Sequence, residues 1–229
     1  MNILKLFKHK DEFQNISGYQ DIKNIIIRAL ESEDSYNLLL CGPPASAKTL
    51  FLLGIQELDH NAIYFDASNT TNRILDVLQE QRPPIILLDE LDKMSRPFQN
   101  QLLNFLENGR VKVVQQRKFY DFELIPGAKV FATANDINRL SKPLASRFRK
   151  LFLPQYTEIQ FLQVAVKVLP KPKEETVHII AAQVWNTSKD VRDVISVGKL
   201  IRRSDTEEDI RQIIETMSKY GKMEMENAK

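Results

Sequence analysis

The stretch YNLLLCGPPASAKTLFLL, residues 36–53, carries the strongest structural signal in this chain. Its apolar run at residues 38–41 predicts a buried strand, and the pattern becomes helical from Lys48 onwards. The intervening GPPASAKT has the order of a phosphate-binding loop, in which backbone N–H groups point inward and the helix N-terminus adds the positive end of its dipole. These residues therefore predict a binding site for a polyphosphate.

The loop residues have separate predicted roles. Lys48 would reach the β- and γ-phosphates of a nucleotide, and Thr49 would place its hydroxyl on Mg²⁺. The residues expected to lie against the nucleotide are Pro44, Ala45, Ser46, Ala47, Lys48, Thr49 and Leu50. The usual pattern, G-x-x-x-x-G-K-[ST], has glycine where this chain has Ala47, and Ala45 replaces a second common glycine. Because a left-handed conformation costs alanine about 1 kcal/mol, we expect both alanines to avoid it.

Size and composition indicate a globular protein of one large or two small domains. The chain has 229 residues, of which 43% are apolar and 27% are charged. Its net charge of +2 is too small to indicate a nucleic-acid partner, and the single Cys41 favours a reducing compartment, which we take to be the cytoplasm. No apolar run approaches the length of a membrane span. The start, residues 1–10, mixes apolar side chains with lysines and is interpreted as an arm that packs on the body or on a neighbouring subunit.

Strands and helices alternate through residue 154. After the phosphate loop, short apolar runs predict strands at residues 62–65, 85–88, 129–134 and 151–153. Helical spacing predicts helices at residues 20–31, 72–81 and 97–108. A hairpin is predicted over residues 111–122, with its tip near residues 115–118. This alternation predicts an α/β fold with a five-stranded parallel sheet flanked by helices.

The pattern changes after Pro154, where strand signals end and helical periodicity begins. Apolar stripes predict about four helices. The buried stripe of the first is expected to contain Ile159, Leu162, Val166 and Leu169. We therefore divide the chain into an α/β core with an N-terminal arm, residues 1–155, and a small all-helical lid domain, residues 156–229. The hinge is expected at residues 154–157, and the last eight residues are expected to fray.

A second motif follows the apolar strand at residues 85–88, which runs directly into Asp89-Glu90-Leu91-Asp92. An all-apolar strand belongs in the centre of a parallel sheet, and open α/β sheets bind ligands beyond the carboxyl ends of their strands. Asp89 is placed to hold Mg²⁺, directly or through water, and Glu90 is placed to orient and deprotonate an attacking water. Together with the phosphate loop, these carboxylates indicate phosphoryl-transfer chemistry.

With both motifs in place, the chain resembles the AAA+ ATPase family over nearly all of its length. The resemblance implies a P-loop NTPase fold with a helical lid, and ATP and Mg²⁺ as cofactors. It also implies a homo-oligomeric ring, expected to be a hexamer, that hydrolyses ATP between its subunits.

Residues after the second motif match further catalytic positions of the family. Asn135, after the strand KVFATA, matches the sensor-1 position, where a polar side chain helps to hold the attacking water. The segment SRFR matches the arginine finger, which reaches the γ-phosphate held by the adjacent subunit. Arg147 is the first candidate for the finger, and Arg149 is its rival.

Other residues match positions that contact the nucleotide from outside the phosphate loop. Arg192 matches sensor 2, an arginine that contacts the nucleotide of its own subunit. Ile16 and Gly18 lie in a segment that resembles the adenine-recognition segment of the family. Tyr156, at the predicted hinge, is expected to pack near the base.

The branch of the family is left open between two resemblances. The run LLNFLENGRVKV and the hairpin that follows it resemble MoxR-like chaperone ATPases and minichromosome-maintenance helicases. The lid and the sequence around residues 143–148 look more similar to RuvB-type branch-migration motors. RuvB-type proteins carry a winged-helix DNA-binding domain after the lid, and we expect this chain to lack it because the sequence ends after the lid.

Three activities remain as alternatives. The hairpin tip, with Arg117 and Lys118 beside Phe119, suits a phosphate backbone and stacked bases, which favours a nucleic-acid motor such as a DNA helicase. A protein-remodelling ATPase would use the same hairpin to grip a protein partner or adaptor. The two loop alanines also allow a switch that assembles with ATP and hydrolyses it slowly. As a plainer interpretation of the hairpin, Phe119 and Phe122 are its buried side and the cations its solvated side.

Overall fold

The computed structural model describes residue 13 and residues 16–69, 73–115, 118–169, 173–202 and 204–221. These residues form two compact units, one made of Phe13 and residues 19–154, the other of residues 16–18 and those after 154. The predicted division placed residues 16–18 and 155 with the core, whereas the structure groups them with the helical unit. The expectations for the N-terminal arm and for the last eight residues lie outside the described residues.

The first unit alternates helices and strands in the predicted order. Its elements are α1 (Gln20–Glu31), β1 (Tyr36–Cys41), α2 (Lys48–Leu58), β2 (Ala62–Asp66), α3 (Arg73–Gln81), β3 (Ile85–Asp89), α4 (Arg96–Asn108), β4 (Arg110–Gln115), β5 (Lys118–Glu123), β6 (Lys129–Ala134), α5 (Lys142–Ser146) and β7 (Arg149–Phe152).

Five strands form one sheet in the order β2-β3-β6-β1-β7, and every neighbouring pair is parallel. All residues of β3 and β6 are buried, because central strands of such a sheet are covered on both faces. The predicted five-stranded parallel sheet flanked by helices is confirmed. Two strands begin earlier than predicted, β1 at Tyr36 and not at residue 38, and β7 at Arg149 and not at residue 151. The earlier start of β7 reflects the pairing of Arg149 with Leu38 of β1.

The predicted hairpin is present as the antiparallel pair β4 and β5. Val111, Tyr120 and Phe122 form its buried side and join the core cluster that includes side chains of α3 and α4. The Tyr120 hydroxyl also donates to Asp76 of α3 over 3.0 Å. The interpretation that put Phe119 on the same side as Phe122 was wrong, because residues three apart in a strand face opposite sides, and Phe119 is 57% exposed.

The described part of the second unit is helical after residue 154. Its helices are α6 (Glu158–Val168), α7 (Glu174–Thr187), α8 (Val191–Leu200) and α9 (Glu207–Gly221). Thr157 and Gln160 begin α6 with reciprocal hydrogen bonds between each side chain and the other residue's backbone N–H, which satisfies two donors of the first turn. Within the described residues, no helix combines the length and the apolar character needed to cross a bilayer.

Helix α6 buries a different face from the predicted one. Phe161, Val164 and Ala165 are buried, whereas Ile159 is 69% exposed. Of the other predicted residues, Leu162 and Val166 are half-buried, and Leu169, just beyond the end of the helix, is buried. The helix carries apolar side chains on more than one face, so their spacing allowed two stripes and did not show which one packs against the other helices. Only contacts with the rest of the unit select the face.

Candidate active site

Three strand ends bring separate motifs to one edge of the sheet. β1 leads into the phosphate loop, β3 ends at Asp89, and β6 precedes Asn135, while the sheet order β3-β6-β1 makes these strands neighbours. The Gly42 N–H donates to Ala134 O over 3.2 Å, which joins the start of the loop to the end of β6. The motifs therefore meet at the carboxyl edge, where open parallel sheets bind ligands.

The phosphate loop adopts the conformation that its alanines were expected to avoid. Ala45 and Ala47 both have a φ of 62°, in the left-handed region, while Pro44 and Ser46 do not have positive φ. Alternation of this kind forms a nest, in which successive backbone N–H groups converge on one point. The expectation was wrong because convergence of the N–H groups requires left-handed residues, even at a cost of about 1 kcal/mol for each alanine.

Close packing explains why the loop begins with glycine. A Cβ atom at Gly42 would lie 2.4 Å from Leu153 O and 2.9 Å from Ser46 Oγ, so no other side chain fits. Ser46 is buried, and its hydroxyl donates to Pro43 O over 2.8 Å. The shape of the loop is thus held by contacts within the first unit.

The ammonium of Lys48 lies inside the loop. It donates to Gly42 O over 2.9 Å, to Pro43 O over 2.6 Å and to Ser46 Oγ over 3.1 Å. Burial lowers the pKa of Lys48, and nearby carboxylates, Asp89 first among them, oppose part of that shift. An ammonium held by neutral oxygens at the nest is placed to exchange them for phosphate oxygens, which form stronger, charge-assisted hydrogen bonds.

Asp89 is buried, and its carboxylate accepts hydrogen bonds from three hydroxyls. Thr49 donates to Oδ2 over 2.9 Å and Tyr64 to Oδ2 over 2.6 Å, while Thr133 donates to Oδ1. Burial and the hydrogen bond to Asp89 raise the pKa of Tyr64, so its hydroxyl keeps the proton that it donates. Sequence reasoning missed Tyr64 and Thr133, whose only signal was a position near the end of a strand.

The contact between Thr49 and Asp89 suits Mg²⁺, which prefers hard oxygen ligands. Such sites commonly use one or two protein groups together with the phosphates of a nucleotide, and not a cage of protein ligands alone. No cluster of three or more His, Cys, Asp or Glu side chains suited to a metal occurs in the described part of the chain. A hydroxyl and a buried carboxylate next to the phosphate loop therefore fit the predicted cation.

Glu90 follows β3 in a left-handed conformation, with a φ of 54°. Its N–H donates to the Thr133 hydroxyl over 2.9 Å, and its carboxylate forms an ion pair with Lys93 at 2.7 Å. A left-handed non-glycine residue costs about 1–3 kcal/mol and persists where surrounding contacts hold it. The Glu90 side chain remains 32% exposed, which leaves it accessible to water.

Asp92, the third carboxylate of the motif, holds the turn after β6. It is buried, and it accepts from the N–H groups of Asn135 over 3.1 Å and of Asp136 over 3.2 Å. These bonds fix the backbone of Asn135 beside the end of β3. The role of the Asn135 side chain in holding water stays a prediction.

Arg147 and Arg149 are both exposed and flank the buried Phe148. The Arg147 guanidinium pairs with Glu107 of α4 at 2.8 Å, and its carbonyl accepts from Asn37 Nδ2 over 3.3 Å. Because Asn37 is the second residue of β1, Arg147 lies near the amino edge of that strand, away from the phosphate loop that follows its carboxyl end. Both arginines remain candidates for the finger.

Four predicted nucleotide contacts belong to the second unit, namely Ile16, Gly18, Tyr156 and Arg192. Ile16 and Tyr156 are buried, and Arg192 pairs with Asp190 at 2.6 Å near the start of α8. Their roles toward the nucleotide stay predictions.

The predicted substrate contacts lie at the hairpin tip. Arg117 is outside the described residues. Lys118 pairs with Asp76 of α3 and lies 5.0 Å from the centroid of the Tyr120 ring, so its charge is directed to α3. The side chains of Lys118 and Phe119 are both exposed, and that of Phe119 is the apolar one.

Residues 38–156 match the AAA family, described as the ATPase family associated with various cellular activities. The matched segment begins in β1 and ends just after β7. It contains the phosphate loop, both carboxylates assigned to catalysis, Asn135 and both finger candidates.

The curated relatives include Lon proteases. That of Fusobacterium nucleatum is 28% identical over 72% of this chain and 24% of its own length, and that of Campylobacter jejuni is 28% identical over 94% and 31%. The chain thus spans about a quarter to a third of the length of these relatives.

Solved structures of two point mutants of RuvB from Thermotoga maritima are also similar. One has a TM-score of 0.69 at 17% identity, covering 92% of this chain and 74% of that chain. The other has a TM-score of 0.64 at 17% identity, covering 88% and 70%. At this identity the likeness shows a shared fold.

Proposed function

The chain belongs to the AAA family of ATPases, and on this premise we propose that it binds ATP with Mg²⁺ and hydrolyses ATP between the subunits of a homo-oligomeric ring. The observation that carries the proposal is the meeting of Lys48, Thr49, Asp89 and Glu90 at one edge of a P-loop NTPase sheet. A cation, a hydroxyl and two carboxylates in this arrangement are groups that phosphoryl transfer uses.

Each group has a task set by its position. The N–H groups of the nest and the ammonium of Lys48 bind the phosphates. Thr49 and Asp89 would hold Mg²⁺, which when bound neutralises charge on the phosphate oxygens. Glu90 takes a proton from the attacking water, and Asn135 orients that water. Because phosphoryl transfer depends mainly on positioning and charge neutralisation, these groups form the part of the site that one subunit would supply.

The position of Arg147 supports the proposed ring. Arg147 lies near the amino edge of β1, whereas the phosphate loop follows the carboxyl end of that strand. An arginine acting on the γ-phosphate would therefore come from a neighbouring subunit. Head-to-tail contact between identical subunits closes into a ring when the rotation permits, and we propose a hexamer.

The proposed location is the cytoplasm. Its support is Cys41, the single cysteine of the chain, which is buried and so offers no disulfide framework. Burial raises the pKa of the Cys41 thiol to about 11, so the thiol stays protonated and unreactive at neutral pH.

Replacing Lys48 with alanine is expected to weaken ATP binding by about tenfold to a hundredfold, while the protein stays folded. The substitution removes a charge-assisted hydrogen-bond donor, worth about 1.5–3 kcal/mol, and Lys48 is not a member of the hydrophobic core cluster. Calorimetric titration with ATP and Mg²⁺ measures the loss, and Lys199→Ala, at an exposed lysine of α8, is the matched control. Equal affinities of the Lys48→Ala and wild-type proteins would rule out the phosphate-loop assignment.

For the substrate, we propose that the hairpin grips a polypeptide. Val114 and Phe119 face each other across the two strands and are 70% and 57% exposed. Two neighbouring cations are paired, Lys118 with Asp76 and Arg110 with carboxylates of β5, while Lys112 is exposed on the same strand face as Val114. An exposed apolar pair beside two neutralised cations suits an apolar peptide segment better than a phosphate backbone, which needs unpaired charge.

A nucleic-acid substrate, which the sequence favoured, is the second candidate. Phe119 is exposed and can stack on a base, and Arg117 lies two residues before it in the sequence. A DNA helicase would use these residues, whereas the paired cations argue for the polypeptide. A switch that assembles with ATP and hydrolyses it slowly is a third candidate. A low rate of ATP turnover would support it.

Phe119→Ala is expected to raise the polypeptide concentration for half-maximal stimulation of ATP turnover by about tenfold or more. Burial of a phenylalanine side chain contributes about 1.5–3 kcal/mol, and alanine loses most of it. Turnover is measured with an unfolded carboxymethylated polypeptide, single-stranded DNA, junction DNA or no addition. Tyr220→Ala, at an exposed aromatic residue of α9, is the control.

The same assay separates the three candidates. Stimulation by DNA alone, weakened by added salt, would contradict the polypeptide and support the nucleic-acid motor. Slow turnover that no addition changes, together with ATP-dependent assembly, would support the switch.

A further inference from the structure

The carboxylate of Asp89 is held from two sides. Tyr64 Oη, on β2, donates to Oδ2 over 2.6 Å, and Thr133 Oγ1, on β6, donates to Oδ1. β2 and β6 lie on either side of β3 in the sheet, so the two donors approach from opposite neighbouring strands. The third donor, Thr49, comes from the phosphate loop helix.

The three donors differ in what ligand binding does to them. A carboxylate offers about four lone-pair positions, two on each oxygen. Thr49 is the hydroxyl assigned to Mg²⁺, so its bond to Asp89 is the one that the cation replaces. Tyr64 and Thr133 then remain, one on each oxygen, and each oxygen keeps one lone pair for the cation or its water.

We propose that Tyr64 is a positioning residue, which orients the carboxylate of Asp89 for Mg²⁺ in the ATP site. The inference rests on the proposed function and adds a residue to it. Groups that hydrogen-bond a metal ligand fix its orientation, and their loss commonly weakens metal affinity by about tenfold to a hundredfold. Thr133 binds the other oxygen of Asp89, but its hydroxyl also accepts from the Glu90 N–H, so replacing Thr133 would disturb Glu90 as well. Replacing Tyr64 tests the orientation of Asp89 alone.

A merely structural tyrosine would behave differently. If Tyr64 only satisfied a buried carboxylate, its loss would lower thermal stability and leave metal affinity unchanged. A positioning residue changes metal affinity, and it does so only while Asp89 carries a carboxylate. Nucleotide affinity without metal should stay unchanged in either case, whereas a damaged phosphate loop would lower it.

The test is Tyr64→Phe, which removes one hydroxyl and keeps the ring. Affinity for adenylyl imidodiphosphate is measured by calorimetry in EDTA, and the dissociation constant of Mn²⁺ in the presence of the analogue is measured from the EPR signal of free Mn²⁺. We expect unchanged affinity in EDTA and a Mn²⁺ dissociation constant raised about tenfold. Tyr36→Phe, at the first residue of β1 and the opposite edge of the sheet, is the matched control and should change neither value.

A double-mutant cycle with Asp89→Asn shows whether Tyr64 acts through Asp89. Tyr64→Phe should not change the Mn²⁺ dissociation constant further when Asp89 is already asparagine. Equal Mn²⁺ affinity of the wild-type and Tyr64→Phe proteins, both binding the analogue, would overturn this inference alone. No binding of the analogue to the wild type, with or without metal, would overturn the proposed function and this inference with it.

Discussion

Replacing Arg147 with alanine is expected to lower ATP turnover by about 10³-fold or more while ATP affinity is retained. An arginine supplied to the transferring phosphoryl group stabilises its charge and is worth about 10³–10⁵ in rate. Arg147 pairs with Glu107 near the amino edge of β1, so its loss leaves the phosphate loop of its own chain unchanged. Steady-state turnover and calorimetric ATP affinity, measured on one preparation, separate the two effects. Arg139→Ala, at an exposed arginine, is the control.

Mixing the Arg147→Ala and Lys48→Ala proteins should recover part of the activity. The first retains an intact Lys48 site, and the second retains an intact Arg147. Where a subunit of the first stands beside a correctly oriented subunit of the second, the shared site is complete. The recovered fraction is expected to be small, because only some interfaces pair in this way.

Several results would contradict the shared site. Turnover of Arg147→Ala at the wild-type level would exclude Arg147 and make Arg149→Ala the next variant to measure. Turnover independent of protein concentration, in a species that stays monomeric with ATP, would exclude a site made by two subunits. Failure to recover activity on mixing would also exclude it, once co-assembly of the two variants has been shown.

Glu90→Gln should bind ATP as the wild type does and turn it over about 10²- to 10⁴-fold more slowly. Glutamine keeps the shape of the side chain but cannot accept a proton from water. Loss of the ion pair with the exposed Lys93 should have little effect on stability, because such surface pairs contribute about 0–1 kcal/mol. Turnover, ATP affinity and the size of the assembly with ATP are the measurements, with Glu57→Gln on α2 as the control.

Turnover of Glu90→Gln within a few-fold of the wild type would show that Glu90 is not the base. Asp92 would be a poor replacement, because it is buried and both of its oxygens accept from backbone N–H groups.

Local patterns were enough to predict the order of the elements and the positions of the two motifs. The apolar run of β3 shows that both faces of the strand are covered, and the loop before Lys48 contains its turn and its helix start within a few residues. Patterns of this kind can be recognised from consecutive residues, without knowing which other segments they contact. The five-stranded parallel sheet could therefore be expected before any contact between segments was known.

Contacts between distant segments had no such signal. Tyr64 reaches Asp89 across 25 positions, and Arg147 reaches Glu107 across 40, because strand order and helix packing bring them together. Likewise, α6 carries apolar side chains on two faces, so its sequence did not predict which face is buried. Packing against the other helices determines the buried face.

The phosphate loop shows the same division within a single motif. Its residue types predicted what it binds, but the preference of alanine gave the wrong conformation for Ala45 and Ala47. Residue preference is a local free energy of about 1 kcal/mol, and it yields where the surrounding structure requires another geometry. Here the contact of Gly42 with Leu153 and the turn closed by Ser46 hold the loop in shape, so the tertiary structure determined its conformation.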